Sequence, residues 1–190
     1  MTMNPDSSYT PVPETKNQRL FFALWPSLEL SRELYGVAGQ ILEGDGRRVP
    51  PENIHLTLAF LGSVNASFRQ CAEQVAASIR TSSFTLTLEQ IGCWPKPGIV
   101  WAGPRHKPEP LSRLVQEFNT GLVACGYVPE ERSYAAHLTV ARKSRRCNEK
   151  FPIDPLTWEV RRFCLVQSHT HAEGARYEIV RSWELNSSEP

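Results

Sequence analysis

The sequence predicts an α+β fold from three observations. Apolar segments of strand length recur along the chain, three other stretches have helical spacing, and the two kinds mix without the regular strand–helix alternation of a parallel array. Hydrophobic residues make up 41% and charged residues 22% of the chain, ordinary for a soluble globular protein, so the class is read from pattern. With 190 residues the chain is long enough for one sizeable domain.

Residues 1–18 are polar, carry Pro5, Pro11 and Pro13, and lack the apolar stretch of a secretory signal. They read as a flexible tail on a cytoplasmic protein, ahead of a single domain over 19–190. Residues 19–25 form an apolar run of strand length closed by Pro26. Ser27 is placed to cap a helix whose Leu30, Leu34, Val37 and Ile41 share a face, ending near Gly44. A loop rich in Gly, Pro and Arg leads to a strand over 54–61 that stops at Gly62. Ser67 is the next N-cap candidate, before Phe68, Ala72, Val75 and Ile79 at helical spacing. Residues 84–91 alternate as a strand, a turn spans 92–98, and a short strand covers 99–102. Leu111, Leu114, Val115, Phe118 and Leu122 mark a third helix that Gly126 ends in the left-handed conformation. A strand over 133–142, a basic loop to Pro155, and strands near 160–167 and 177–185 around a loop at 168–176 complete the chain. No run approaches the roughly 18 apolar residues of a membrane helix, so no membrane partner is expected.

Five cysteines form no Cys-x-x-Cys pair, which argues against a zinc knuckle and a disulfide framework. Cys71, Cys125 and Cys164 lie in apolar patterns and read as small core residues. Net charge is +1, yet 16 of the 21 basic residues are arginine, clustered at 47–48, 142–146 and 161–162. Arginine's planar fork suits phosphate oxygens.

Two pentapeptides nearly coincide: His55-Leu56-Thr57-Leu58-Ala59 and His137-Leu138-Thr139-Val140-Ala141. In a strand each copy sends its Leu and Leu or Val to one face and His, Thr and Ala to the other, with Ile54 and Phe60 extending the buried face of the first. A doubly buried strand disfavours His and Thr, and one facing bulk water favours Lys, Glu or Arg, so this face suits the wall of a cleft. Histidine both accepts and donates a proton near neutral pH. Two of them can act in series, one on water and one on a leaving oxygen. Each Thr lies two residues on, roughly 6–7 Å along the strand, placed to hold a phosphate between the imidazoles. Nothing in this arrangement calls for a metal or other cofactor.

At these residues the chain resembles the two-histidine phosphoesterase superfamily, whose signature is a pair of His-x-Thr-x motifs. It is most similar to the bacterial RNA 2′,3′-cyclic phosphodiesterases, first described as 2′-5′ RNA ligases. The resemblance extends through residues 19–23, 51–62, 100–103, 137–142, 174–177 and 183–185. It implies a bilobal fold of two pseudo-symmetric antiparallel-sheet lobes, helices outside, with the motifs facing across a central cleft. It also implies hydrolysis of RNA 2′,3′-cyclic phosphate ends to 2′-phosphates. On that pattern His55 is the proton donor, His137 the proton acceptor, Thr57 and Thr139 the phosphate holders, and Arg142 an added positive charge. The family's usual Pro before the second His is replaced by Ala135-Ala136, from which a looser approach to the strand is expected.

Among the aromatics Trp94, Trp101, Tyr134 and Phe22, Trp101 and Tyr134 are the foremost candidates to stack a base. His169-Thr170-His171 invites a metal reading but looks like surface loop, and His106 like a turn residue. The expected partner is RNA or an oligonucleotide with a 2′,3′-cyclic phosphate end, with no obligate protein partner evident. The alternatives are 2′-5′ RNA ligation at the same site and a non-catalytic RNA-binding module.

Overall fold

The computed structural model describes residues 17–145, 151–171 and 174–187. The tail up to residue 16, Arg146 and Cys147 of the basic stretch, and Glu173 lie outside the described residues. Chain order is β1 (Gln18–Leu24), α1 (Leu28–Leu42), β2 (Arg47–Arg48), a 3-10 turn (Pro51–Asn53), β3 (Leu56–Val64), α2 (Ala66–Ser78) and β4 (Phe84–Trp94). Then come β5 (Ile99–Gly103), α3 (Glu109–Val123), β6 (Leu138–Arg142), β7 (Phe151–Val160), β8 (Arg162–His171) and β9 (Gly174–Glu184). The strands join in one nine-stranded sheet of order β7-β4-β5-β6-β3-β1-β8-β9, with β2 also on β6. The pairings are antiparallel, as the α+β class requires. At its centre β3 meets β6 in a single registered pair, Leu56 with Leu138.

The helices cover one face of this sheet. Leu20, Phe22, Leu24, Leu56, Leu58, Leu138 and Val140 share a buried cluster with Leu34 of α1, Ala72 of α2 and Phe118 of α3. Burying these positions turns the alternate residues to the other face, where Phe21, Ala23, Cys164 and Val166 form a second, small cluster under Trp25 and Tyr177. The apolar run that opens the chain is therefore apolar on both sides because both are covered.

Most elements match their sequence signals. Ser27 caps α1, its hydroxyl accepting from the Leu30 amide at 3.2 Å. All five apolar positions named for α3 are buried, and Gly126 takes a φ of 89°. The second cap is Asn65 rather than Ser67, since β3 runs on through Gly62 to Val64 and leaves Asn65 at the junction. Phe60 is not on the buried face. A register shift between Leu20 and Phe21, opposite Gly62 at φ 75°, leaves Phe60 41% exposed beneath the Arg19 guanidinium. The strand expected over 133–142 begins only at Leu138. The expected loop to Pro155 instead gives way to β7, which is an edge strand and so tolerates Pro152 and Pro155. Of the loop expected at 168–176, residues 168–171 belong to β8 and 174–176 to β9, paired with each other.

The cysteine expectation is overturned. Cys71 of α2 and Cys125 just past α3 are joined by a disulfide, their Cα atoms 5.7 Å apart where the two helices pack. Both are half-buried rather than core, Cys93 is also disulfide-bonded, and Cys164 is the free cysteine among the described residues.

Phe22, fully buried, stacks on Phe118 at 4.4 Å and ties β1 to α3. Phe22→Ala is expected to lower unfolding free energy by about 3–5 kcal/mol, read as a lower denaturation midpoint. A loss under about 1 kcal/mol would mean that the helices are not anchored there.

Candidate active site

The Leu56–Leu138 pair fixes the relation of the two motifs. Extending an antiparallel register by one residue each way sets His55 opposite Thr139 and Thr57 opposite His137. With both leucines fully buried, all four polar side chains rise on the face away from the helices. The two histidines occupy diagonal positions, whose separation in such a ladder is about 7–8 Å. The motifs thus come together, side by side on neighbouring strands. Each histidine stands one residue ahead of its strand, not within it.

Both imidazoles are held the same way. His55 Nδ1 lies 2.7 Å from the Asn53 carbonyl, and His137 Nδ1 lies 2.9 Å from the Ala135 carbonyl. A carbonyl only accepts, so each Nδ1 carries the proton, and Nε2 of each neutral ring keeps its lone pair. The Pro51–Asn53 turn presents the first carbonyl. The second lies in the Ala-Ala segment, where Gly103 admits the backbone: a Cβ there would come 2.7 Å from the Ala136 oxygen.

The surroundings differ. Trp25 stacks on His55 at 5.0 Å and 6°, with Phe21 and Tyr177 each 5.0 Å away at steeper angles. Burial lowers the His55 pKa to about 4, aided by the charges of Arg142 and His137, against the Asn53 bond that favours the charged ring. His137 meets the edge of Trp94 at 4.6 Å, and burial, then Arg142, lowers its pKa too, opposed by the Ala135 bond.

Two cavities flank the motifs. One of about 710 Å³ is lined by His55, Thr139, Arg142 and Tyr177 together with Arg47, Lys143 and Arg176. The other, about 870 Å³, is lined by Thr57, His137, Trp94, Tyr134 and Lys96.

Of the expected base stackers, Phe22 is core, and Trp101 is 7% exposed. The Trp101 indole crosses Gly92, where a Cβ would collide with it, and it presents no face to the cavity. Tyr134 does line the larger cavity, its hydroxyl donating to the Thr57 carbonyl at 2.8 Å. Trp94, not one of the two foremost candidates, also lines that cavity and touches the His137 ring. Trp25 went unnoticed as a site residue, although alternation along β1 puts it on the face of Phe21 and Ala23. His169 is paired with Glu178 at 3.3 Å, and the His171 side chain lies outside what is described. Among the described residues no cluster of three or more His, Cys, Asp or Glu is placed to hold a metal ion, and no helix is long and apolar enough to cross a membrane.

His55 is expected to remain neutral down to about pH 5 in the free protein and to titrate near 4, measured by NMR of the imidazole. Its folded pKa lies below the unfolded value of about 6.5, so the unfolded chain binds the extra proton between them. The neutral buried ring therefore contributes stability that is complete above about pH 6.5 and lost as pH falls through about 4, roughly 3 kcal/mol in all. A midpoint near 6.5 would show the ring open to water.

A sequence model of the 2′-5′ RNA ligase superfamily matches residues 29–172. A relative from Escherichia coli (strain K12), named RNA 2′,3′-cyclic phosphodiesterase, is 32% identical over 173 residues, covering 88% of this chain and 97% of its own. A relative from Archaeoglobus fulgidus with the same name is 32% identical over 163 residues, covering 80% and 88%. Among solved structures, E. coli LigT complexed with 3′-AMP superposes with a TM-score of 0.80 at 30% identity, covering 90% of this chain and 99% of that one.

Proposed function

Because the chain belongs to the 2′-5′ RNA ligase superfamily, we propose that it is an RNA 2′,3′-cyclic phosphodiesterase worked by His55 and His137. The observation that supports this most is the Leu56–Leu138 register, which stands two proton-transfer groups and two hydroxyls in a diagonal square on one open face. A phosphate centred there meets both Nε2 atoms from opposite sides, as in-line displacement needs, with Thr57 and Thr139 donating to its non-bridging oxygens.

In the reaction His137 takes a proton from water as the water oxygen bonds to phosphorus. The P–O3′ bond breaks, and His55 gives its Nε2 proton to O3′, leaving a 2′-phosphate. The pair ends with protonation states exchanged, and solvent restores them. His55 is neutral in the empty site, so its acid role depends on the substrate. The phosphate's negative charge opposes the field of Arg142 and raises the affinity of both rings for protons. Each residue that acts here belongs to the chain, and no step calls for a metal.

The order of the cavities fits this direction. The ribose, tied to the leaving oxygen, belongs on the arginine-rich side with His55, and the attacking oxygen enters beside His137. The same geometry favours a second reading, 2′-5′ ligation. A 5′-hydroxyl in place of water would bring its nucleoside into the 870 Å³ cavity, which is large enough for one. Failure to form a 2′-5′ linked product at high concentrations of a 5′-hydroxyl acceptor would remove that reading.

We place the activity with RNA in the cytoplasm. In a reducing compartment the Cys71–Cys125 bridge would open to thiols. Glu117 of α3 would still accept from the Arg80 amide and the Thr81 hydroxyl beyond α2.

Given an oligonucleotide with a 2′,3′-cyclic phosphate end, the protein is expected to release a 2′-phosphate in EDTA with a bell-shaped pH profile. His55→Ala or His137→Ala should each lower kcat by about 10²–10⁴-fold while RNA binding persists. A wild-type protein that binds RNA but never turns over would leave a binding module instead.

A further inference from the structure

Residues 142–145 of the basic run form a positioned turn. Arg142 ends β6 opposite Arg47 of β2, and Lys143 follows in the left-handed region at φ 60°. Ser144, 7% exposed, donates its hydroxyl to the Asp45 carboxylate at 2.6 Å, and the Arg145 amide donates to the same oxygen at 2.9 Å. The Ser144 amide donates to the Gly98 carbonyl at 3.1 Å. Gly46 and Gly98, both at positive φ, press against this turn: a Cβ at Gly46 would lie 2.9 Å from the Arg142 oxygen, and one at Gly98 2.7 Å from the Ser144 oxygen. A left-handed backbone is uncommon for a residue with a side chain and is kept only where its surroundings enforce it. Here they aim a lysine at a cavity.

That cavity holds His55 and Thr139 at the motifs, and its wall carries Arg47, Arg48, Lys143 and Arg176 beyond Arg142, against one carboxylate, Glu52. A cyclic phosphate carries one negative charge, which Arg142 balances beside the two threonine hydroxyls. At about 710 Å³ the space is that of a whole ligand rather than one anion. In the chemistry above the ribose enters on this side. With O2′ and O3′ fixed at the histidines, its C5′ points away from them, and in an RNA end that carbon bears the next phosphodiester.

We propose that Lys143, fixed by the Asp45 and glycine clamp, binds with Arg176 the phosphate on the 5′ side of the terminal ribose. The substrate class is therefore the end of an RNA chain, or a 5′-phosphorylated nucleotide, in preference to a bare nucleoside cyclic phosphate. This rests on the cyclic phosphodiesterase reading and adds a second anion subsite to it.

Steady-state kinetics on adenosine 2′,3′-cyclic phosphate with and without a 5′-phosphate test it. In the wild type the added phosphate is expected to lower KM about tenfold, a gain that shrinks as salt rises. Lys143→Asn keeps a side chain that tolerates the left-handed backbone but removes the charge. It should abolish the gain while kcat/KM for the bare substrate stays within about twofold, and Lys143→Arg should restore it. No gain in the wild type, or an equal loss on both substrates in Lys143→Asn, overturns the subsite and leaves the activity standing. Turnover of neither substrate by the wild type overturns the phosphodiesterase reading, and the subsite with it.

Discussion

Leu56 and Leu138 lie next to each other at the centre of the sheet, both fully buried against the helices, and they are the one registered pair between β3 and β6. Side chains alternate along a strand, so burying these two leucines is what raises His55, Thr57, His137 and Thr139 on the opposite face. A slip of one residue in either strand would sink a histidine into the apolar layer and lift a leucine into the site. The cost of that slip holds the register, and the register gives each histidine a threonine neighbour across the ladder. Packing and chemistry thus share one constraint, which is why the motif reads as both a strand pattern and a catalytic one.

The two histidines share their tautomer but not their surroundings. Carbonyls two residues upstream hold both Nδ1 protons, an arrangement the backbone supplies without any carboxylate partner. A carboxylate would have favoured the charged rings strongly; the carbonyls favour them only weakly, and burial with the charge of Arg142 outweighs that and leaves the rings neutral. His55 is enclosed by Trp25, Phe21 and Tyr177, while His137 meets the edge of Trp94. On the proposed function, such a site would be charged by its substrate rather than in advance.

Much of this was legible because it rests on local pattern. The α3 stripe, the Ser27 cap and the phase of the paired motifs are each set by residues within a few positions of one another. What escaped depends on partners distant in sequence. Nothing near Cys71 points to Cys125, 54 residues on, and only the packing of α2 beside α3 brings them together. Phe60 departs from its expected face because a bulge opposite Gly62 breaks the strand alternation. Strand β7 leaves little trace in the sequence because an edge strand with Pro152 and Pro155 carries little apolar alternation. Trp25 and Trp101 misled in opposite senses: one closes an apolar run and reads as core, yet stacks on a histidine, while the other invites a base and is buried across a glycine.

Placing all three helices on one face leaves the other side of a long sheet for a ligand, and that asymmetry suits a polymer. An enclosed pocket would admit a mononucleotide and exclude the chain attached to it. Here the polar row of the motifs lies between two open cavities of different chemistry, one lined by arginine and lysine, the other by tryptophan and tyrosine. A chain of phosphates is attracted along the first by charge, which acts over distance and does not depend on sequence. The second sets Lys96 and Arg132 against Glu130 around the flat surfaces of Trp94 and Tyr134, a weaker net charge that suits water, an alcohol or a base better than a phosphodiester. On the proposed function, a reacting phosphorus held where the two meet would have its polymer on one side and its attacking oxygen on the other, with the direction of displacement set by the charge of the walls.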